Sequence, residues 1–261
     1  MRTLALAIGG QSQRMLELLG GLSQLSYQTF SCAIRPPYHL RLLIQQVDHI
    51  GVKSISIAGV AALFTGLVLA LQSAYGLSRF GAKAYVGLIV SMSMVRELGP
   101  VLTALLVGGR VSSGMTAELG SMKVTEQIDA MRAMGANPIK KLVVPRVLSA
   151  MLVLPLLTVM ADVLGILGWM VISRHEFQVD YRLYYNTVTR NLTLADIVSG
   201  LGKTVIFGLI IAIVGCYKGL ETSGGTEGLG KATTAAVVTS AIIVIISDFF
   251  LTKFFWWLEG W

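Results

Sequence analysis

The sequence predicts an all-α membrane protein, with an N-terminal interfacial helix followed by five transmembrane helices. Three observations carry that prediction. Of 261 residues, 54% are hydrophobic and only 13% charged, against a charged share of about 25% in soluble domains. Five apolar stretches, 54–78, 84–108, 143–173, 197–217 and 232–258, are long enough for a bilayer, which takes about 20 residues. The formal net charge is +7, and its basic residues sit in short segments between the apolar runs, as the positive-inside rule describes. Nucleic-acid binding and disorder do not suit this composition. Cys32 and Cys216 form no CxxC motif and read as small buried hydrophobes rather than a disulfide or metal site.

Segment 1–53 forms a separate N-terminal unit ahead of the five-helix transmembrane part, 54–261. Leu16, Leu19, Leu22 and Leu25 recur every third residue among Gln and Ser, which suits an amphipathic helix in the membrane interface. A helix packed on a neighbouring subunit would show the same spacing. Pro36-Pro37 then breaks the chain before a second short helix. The first span carries Ser54, Ala58, Ala62, Gly66, Ala70, Ala74 and Ser78, all small and four residues apart. Such a stripe lets helices approach closely, inside a bundle or between subunits. In the third span, Pro145 and Pro155 predict a kink. The aromatic end, Phe254 to Trp261, suits a belt at the membrane surface.

Orientation follows from Lys and Arg. The segments 1–53, 110–146 and 218–231 hold thirteen, and the opposite side holds five. The richer side is expected to be cytoplasmic, with the N-terminus inside and the C-terminus outside.

No motif for bond chemistry is present. The three histidines lack HExxH spacing, and there is no GxSxG. Residues 225–231, GTEGLGK, approach a P-loop, but Ala232 stands where the magnesium-binding hydroxyl belongs. No catalytic residue, metal site or cofactor of this chain's own is expected.

Five ionisable residues fall inside spans: Arg96, Glu97, Asp162, Lys203 and Asp248. Such residues are expensive and point to function, or to pairs that lock the bundle. At about 1.5 Å per residue, Arg96 and Glu97 lie roughly 18–20 Å from the outer end of their span, Lys203 about 9 Å and Asp248 about 15 Å. Lys203 and Asp248 are therefore expected to pair. Arg96 and Glu97, about 100° apart on one helix, need partners elsewhere. At the outer end of the first span, Gln72, Tyr75, Arg79 and Phe80 supply the polar and apolar mixture a lipid needs, or an interfacial anchor.

Segment 110–141 reads as a loop holding a short helix, about 125–134, with Thr125 as cap, Glu126 in the first turn, Gly135 after the end and Pro138 preventing continuation. Ile128, Met131 and Met134 fall along one side, which suits a partner's groove or the helix's own bundle.

The stretch 95–159 resembles the core of the MlaE family of ABC-transporter permeases. Its landmarks are Arg96-Glu97-Leu98-Gly99-Pro100, Gly109-Arg110, Thr116-Ala117-Glu118, Thr125-Glu126-Gln127, Pro145-Arg146 and Pro155 to Thr158, with 231–234 an approximate match. The likeness covers about 45–255 and implies five transmembrane helices after an interfacial helix. It also implies a homodimer in the inner membrane of a Gram-negative bacterium, working with a cytoplasmic ABC ATPase, a periplasmic-side MCE-domain protein and a small STAS-domain protein. The activity it implies is movement of phospholipid between inner and outer membranes, with ATP and magnesium on the partner. On that resemblance Glu126, Gln127, Ile128, Asp129, Met131, Arg132 and Met134 form a cytoplasmic coupling helix. Gln72, Tyr75, Arg79 and Phe80 line a lipid pocket at the dimer interface, to which Arg96, Glu97, Lys203 and Asp248 are added. Asp162 has no implied role. The rival expectation is a non-transporting scaffold that anchors an envelope complex.

Overall fold

The computed structural model describes residues 2–36, 40–79, 81, 85–177 and 181–258, with side chains for all of these except 2–12, 14, 15, 173–177 and 181–184. Every regular element among them is helical. In chain order these are α1 (Arg2–Ile34), α2 (Leu40–Gly51), α3 (Ile55–Ser78), α4 (Val86–Ser93), α5 (Gly99–Val124), α6 (Gln127–Ala133), α7 (Val144–Phe177), α8 (Tyr181–Asn191), α9 (Leu194–Leu220) and α10 (Gly225–Leu258). A 3₁₀ turn, Val52–Ser54, joins α2 to α3, and π-helical turns, Met94–Leu98 and Ile139–Val143, precede α5 and α7.

Five helical runs are long and apolar enough to cross a membrane: Leu40–Ser78, Val86–Val124, Ile139–Ile172, Leu194–Leu220 and Gly225–Leu258. The protein is thus all-α and multi-pass, as expected. The boundary at residue 53 falls inside the first run. Helix α8 lies between the third and fourth runs, where sequence reading placed no element.

The second run corrects an expectation. Residues 110–124 were read as loop, but α5 continues through them to Val124. Hydropathy falls there because the residues are small or polar, not because the helix ends. Their small size lets α5 touch α9 and α10. A Cβ on Gly108 would stand 2.6 Å from Ile211 Cδ1, and one on Gly219 would stand 2.8 Å from Leu119 Cβ. Thr116 Oγ1, buried, lies 2.8 Å from both Ser112 O and Gly215 O, so its hydroxyl is satisfied inside the bundle.

The main core lies among α5, α7 and α9 and includes Val107, Leu119, Leu154, Phe207 and Ile211. A second cluster around Trp169 joins α7 to α3 and α4. The small stripe of α3 faces α7: Ser54, Ala58, Ala62, Gly66, Ala70 and Ala74 are all buried. A Cβ on Gly66 would come 2.6 Å from Gly165 Cα. The stripe therefore packs within the bundle. Leu22 and Leu25 of α1 pack on the core, whereas Leu16 and Leu19 are exposed, so only the later half of that spacing is used for packing here.

Candidate functional site

Arg96, Glu97, Lys203 and Asp248 meet where the Met94–Leu98 π-turn, α9 and α10 converge. Local sequence explains the turn. Pro100 has no N–H to give the carbonyl of Arg96 four residues earlier, and its ring crowds that carbonyl. The ladder is relaid, with Gly99 N donating to Met94 O five residues back, and the Arg96 carbonyl is freed. Lys203 Nζ donates to it at 3.0 Å.

Lys203 is 2% exposed, yet its ammonium is saturated. Its other donors reach Glu97 Oε2 at 2.8 Å and Thr252 Oγ1 at 2.7 Å. An ammonium has three N–H groups, so nothing is left for Asp248. Asp248 Oδ1 stands 3.4 Å from Nζ, in ion-pair range, but makes no hydrogen bond among the described residues. The expected Lys203–Asp248 pair is present as an ion pair at 3.4 Å, and Glu97 is a second, hydrogen-bonded partner that sequence reading did not assign. Depths from the observed helix ends are about 14 Å for Lys203, 16 Å for Glu97 and 15 Å for Asp248, so the three share one level. The sequence estimate separated them because it started the second span at 84 rather than 86 and the fourth at 197 rather than 194.

Arg96 points to a different partner. Its Nε is hydrogen-bonded to Asp196 Oδ1. Asp196 closes a capping box at the start of α9: Thr193 N donates to Asp196 Oδ2 at 2.7 Å, and Asp196 N donates to Thr193 Oγ1 at 3.4 Å. The helix N-terminus favours this carboxylate, and Arg96 neutralises it. Sequence reading missed Asp196 by starting the span at 197, though Thr193-x-x-Asp196 is itself a legible capping signal. Thr252 was also missed; a lone threonine four residues after Asp248 carries no signal without the fold.

Asp162 lies on α7 beside Gly99, where a Cβ would strike its carboxyl group. Its Oδ1 has no hydrogen-bond partner among the described residues. The remaining lipid-pathway candidates are not joined to this cluster. Gln72, Tyr75 and Arg79 are exposed on α3, away from the face that meets α7. Phe80 lies outside the described residues.

The second candidate region is α6. It is shorter than expected, and its start is corrected. Thr125 closes α5, with Oγ1 donating to Ser121 O at 2.8 Å. Glu126 takes the cap position in a left-handed conformation, φ 59°. The end is as expected: Gly135 has φ 75°, and Gly135 N and Ala136 N donate to Arg132 O and Met131 O at 2.9 and 3.0 Å. That is a Schellman ending. The proposed apolar edge is divided. Ile128 is fully buried in the protein's own bundle, Met131 is half-buried, and Met134 is 77% exposed. Glu126, Gln127, Asp129 and Arg132 are exposed. Asp129 accepts from Lys123 Nζ at 2.7 Å and Arg132 Nη1 at 3.1 Å. The Lys123 hydrogen bond, with both cations' charge, holds its carboxyl below the ordinary range.

No three His, Cys, Asp or Glu side chains among the described residues are grouped to hold a metal ion. The fold and this buried ionic junction define a multi-pass helical membrane protein with charges set among its spans. The family profile described as Permease MlaE matches residues 43–254. A probable ABC transporter permease of Rickettsia conorii is 39% identical over 232 residues, 89% of this chain and 90% of that one. A probable ABC transporter permease of Synechocystis is 41% identical over 210 residues, 80% of each chain. The intermembrane phospholipid transport system permease protein MlaE of Haemophilus influenzae is 31% identical over 231 residues, 87% of this chain and 88% of that one. The chain belongs to the MlaE family of ABC-transporter permeases.

Proposed function

We propose that this permease moves glycerophospholipids between an inner and an outer membrane, driven by ATP hydrolysed on a separate cytoplasmic ABC ATPase. In this reading it works as a homodimer in the inner membrane, N-terminus inside, with an MCE-domain protein on the periplasmic side and a small STAS-domain protein. The Haemophilus relative's name supports the substrate. The observation that carries the reading is the junction at Lys203. A saturated ammonium sits beside Asp248, a carboxylate in ion-pair range whose Oδ1 makes no hydrogen bond among the described residues. Such an arrangement can rebalance when a charged headgroup arrives, because the protein's own pairing leaves one group incompletely satisfied.

Helix α6 is the docking point for the ATPase in this proposal. Its Schellman ending and buried Ile128 anchor it on the protein's own bundle, and Met134 and the exposed polar residues are left for the partner. Gln72, Tyr75, Arg79 and Phe80 would face lipid from the first span, with the second copy completing the enclosure.

The test is reconstitution with the ATPase in lipid vesicles. Lipid-stimulated ATP hydrolysis and movement of labelled phospholipid are expected, and Lys203→Ala should abolish both while the ATPase stays bound. ATPase activity indifferent to lipid, with no lipid movement, would favour the scaffold instead.

A further inference from the structure

At the Lys/Arg-rich end of the bundle, away from the Lys203 junction, α2, α5, α6 and the start of α7 enclose a recess of about 970 Å³. Arg41, Lys141 and Arg146 line it, with Glu118 as the single carboxylate. Glu118 is already engaged by Arg146 at 2.7 Å. Arg146 is 4% exposed, and its Nε has no hydrogen-bond partner among the described residues. Arg41 and Lys141 are exposed, and no described carboxylate lies within ion-pair distance of either. A smaller recess of about 240 Å³ shares Gln46 and Glu118 and adds Arg110. Arg110 donates to Ser54 Oγ at 2.6 Å and has no carboxylate partner among the described residues. The two recesses together hold four cations and one carboxylate, so the surplus is complementary to an anion.

The depth suits a headgroup. Arg110 stands 24 residues beyond the start of the second run at Val86. That is about 36 Å along the helix axis, just past a hydrocarbon core of about 30 Å. Beside Arg41 the chain presents exposed apolar residues: Leu40 and Ile44 on α2, then, beyond exposed Asp48, Val52 in the 3₁₀ turn and Ile55 at the start of α3, and Leu40 stands at the recess itself. A free phosphate would use the cations but not these apolar residues. A lipid uses both.

We propose that this recess binds the phosphate of an anionic phospholipid whose tails lie along the exposed apolar residues of α2 and the start of α3, a second lipid site at the opposite end of the bundle from Lys203. The site goes beyond the transport reading, because it would hold lipid whether or not the chain moved any.

The experiment reads retention rather than transport, so the two ideas fail separately. The full chain is purified from micelles containing equal phosphatidylglycerol and phosphatidylcholine, and retained lipid is counted by native mass spectrometry. Wild type is expected to keep phosphatidylglycerol over phosphatidylcholine. Arg41→Gln with Lys141→Gln should lower that retention about thirtyfold, since each surface cation contributes on the order of 1 kcal/mol toward anionic lipid. Lys231→Gln, an exposed cation paired with Glu227 elsewhere, should change nothing. Arg41→Glu alone serves as a second probe if the double variant folds poorly, and should show the same loss of selectivity. Equal retention in wild type and variants would overturn the site. So would equal retention of the two lipids, and release of phosphatidylglycerol by millimolar inorganic phosphate would replace the lipid with a free anion.

Discussion

The seam between α3 and α7 and the junction of the Met94–Leu98 turn with α9 and α10 both lie inside the membrane, and they hold by opposite means. The seam is dry and small. Ala58, Ala62, Gly66, Ala70 and Ala74 bring one backbone against another, with Gly165 opposite Gly66. Lipid offers no hydrophobic drive for such contact, so close van der Waals packing carries it. The junction is ionic, with Lys203 saturated by three acceptors and Asp248 left at 3.4 Å. A seam of this kind tolerates no added volume, and a junction of this kind tolerates no unbalanced charge. The first is a structural constraint; the second can also respond to a charged ligand.

The largest effect is expected from the seam. Gly66→Leu places a branched side chain where even a Cβ meets Gly165, and backbone cannot yield as a side chain can. Loss of the folded protein is expected, read as absence of a monodisperse peak on size exclusion. Gly66→Ala should fold with a clear drop in melting temperature, on a cost of about 3 kcal/mol. Unchanged melting for both variants would show that the helices are not held this closely.

The junction comes next. Lys203→Ala strands Glu97 and Asp248 and should cost about 3 kcal/mol, the lower end of the range for breaking a buried pair, because Glu97 is 40% exposed. Neutralising the whole set, Lys203→Met with Glu97→Gln and Asp248→Asn, should recover most of that stability but not lipid movement. Recovery of both would make the charges a lock alone. Thr252→Val is smaller. It removes an acceptor from Lys203 and a hydroxyl 3.3 Å from Glu97 Oε1, and about 1 kcal/mol is expected, with reduced transport at unchanged ATPase binding.

The seam was legible because it depends on one helix and a period of four. Five apolar runs gave the topology in the same way. Gly135 and Pro138 marked the end of α6 because local chemistry suffices there. The junction was legible as a set of residue types and as the Lys203–Asp248 pair. That Glu97 also meets Lys203 depends on how Pro100 relays the preceding turn and how α9 and α10 are placed, and no periodicity encodes that. The lower half of α5 was misread for a related reason: Ser112, Thr116 and Gly120 are polar or small by hydropathy, yet are buried against α9 and neighbouring residues. Ile128 taught the same lesson at α6, since spacing shows that a face is apolar and not which neighbour covers it.

The smallest effect concerns a charge pair in water, a control for the one in the membrane. Asp129 is exposed and pairs with Lys123 and Arg132. Its carboxyl is held below the ordinary value of 3.8, first by the Lys123 hydrogen bond. A depressed folded-state value means that the pairing contributes above the unfolded value and fades as pH falls through the folded one. The tether of α6 to α5 should therefore be constant from neutral pH down to about 4–5 and weaken below that. Asp129→Asn should reproduce the acid behaviour at pH 7, seen as slightly faster amide exchange in α6. Half-molar salt, with a Debye length of about 4 Å, should erase the difference between Asp129→Asn and wild type. The same salt should leave the Lys203→Ala defect intact, because ions do not enter the bundle. If salt rescued Lys203→Ala as well, the junction would be an ordinary wetted ion pair, and the contrast between the water-screened pair and the membrane-buried one would fail.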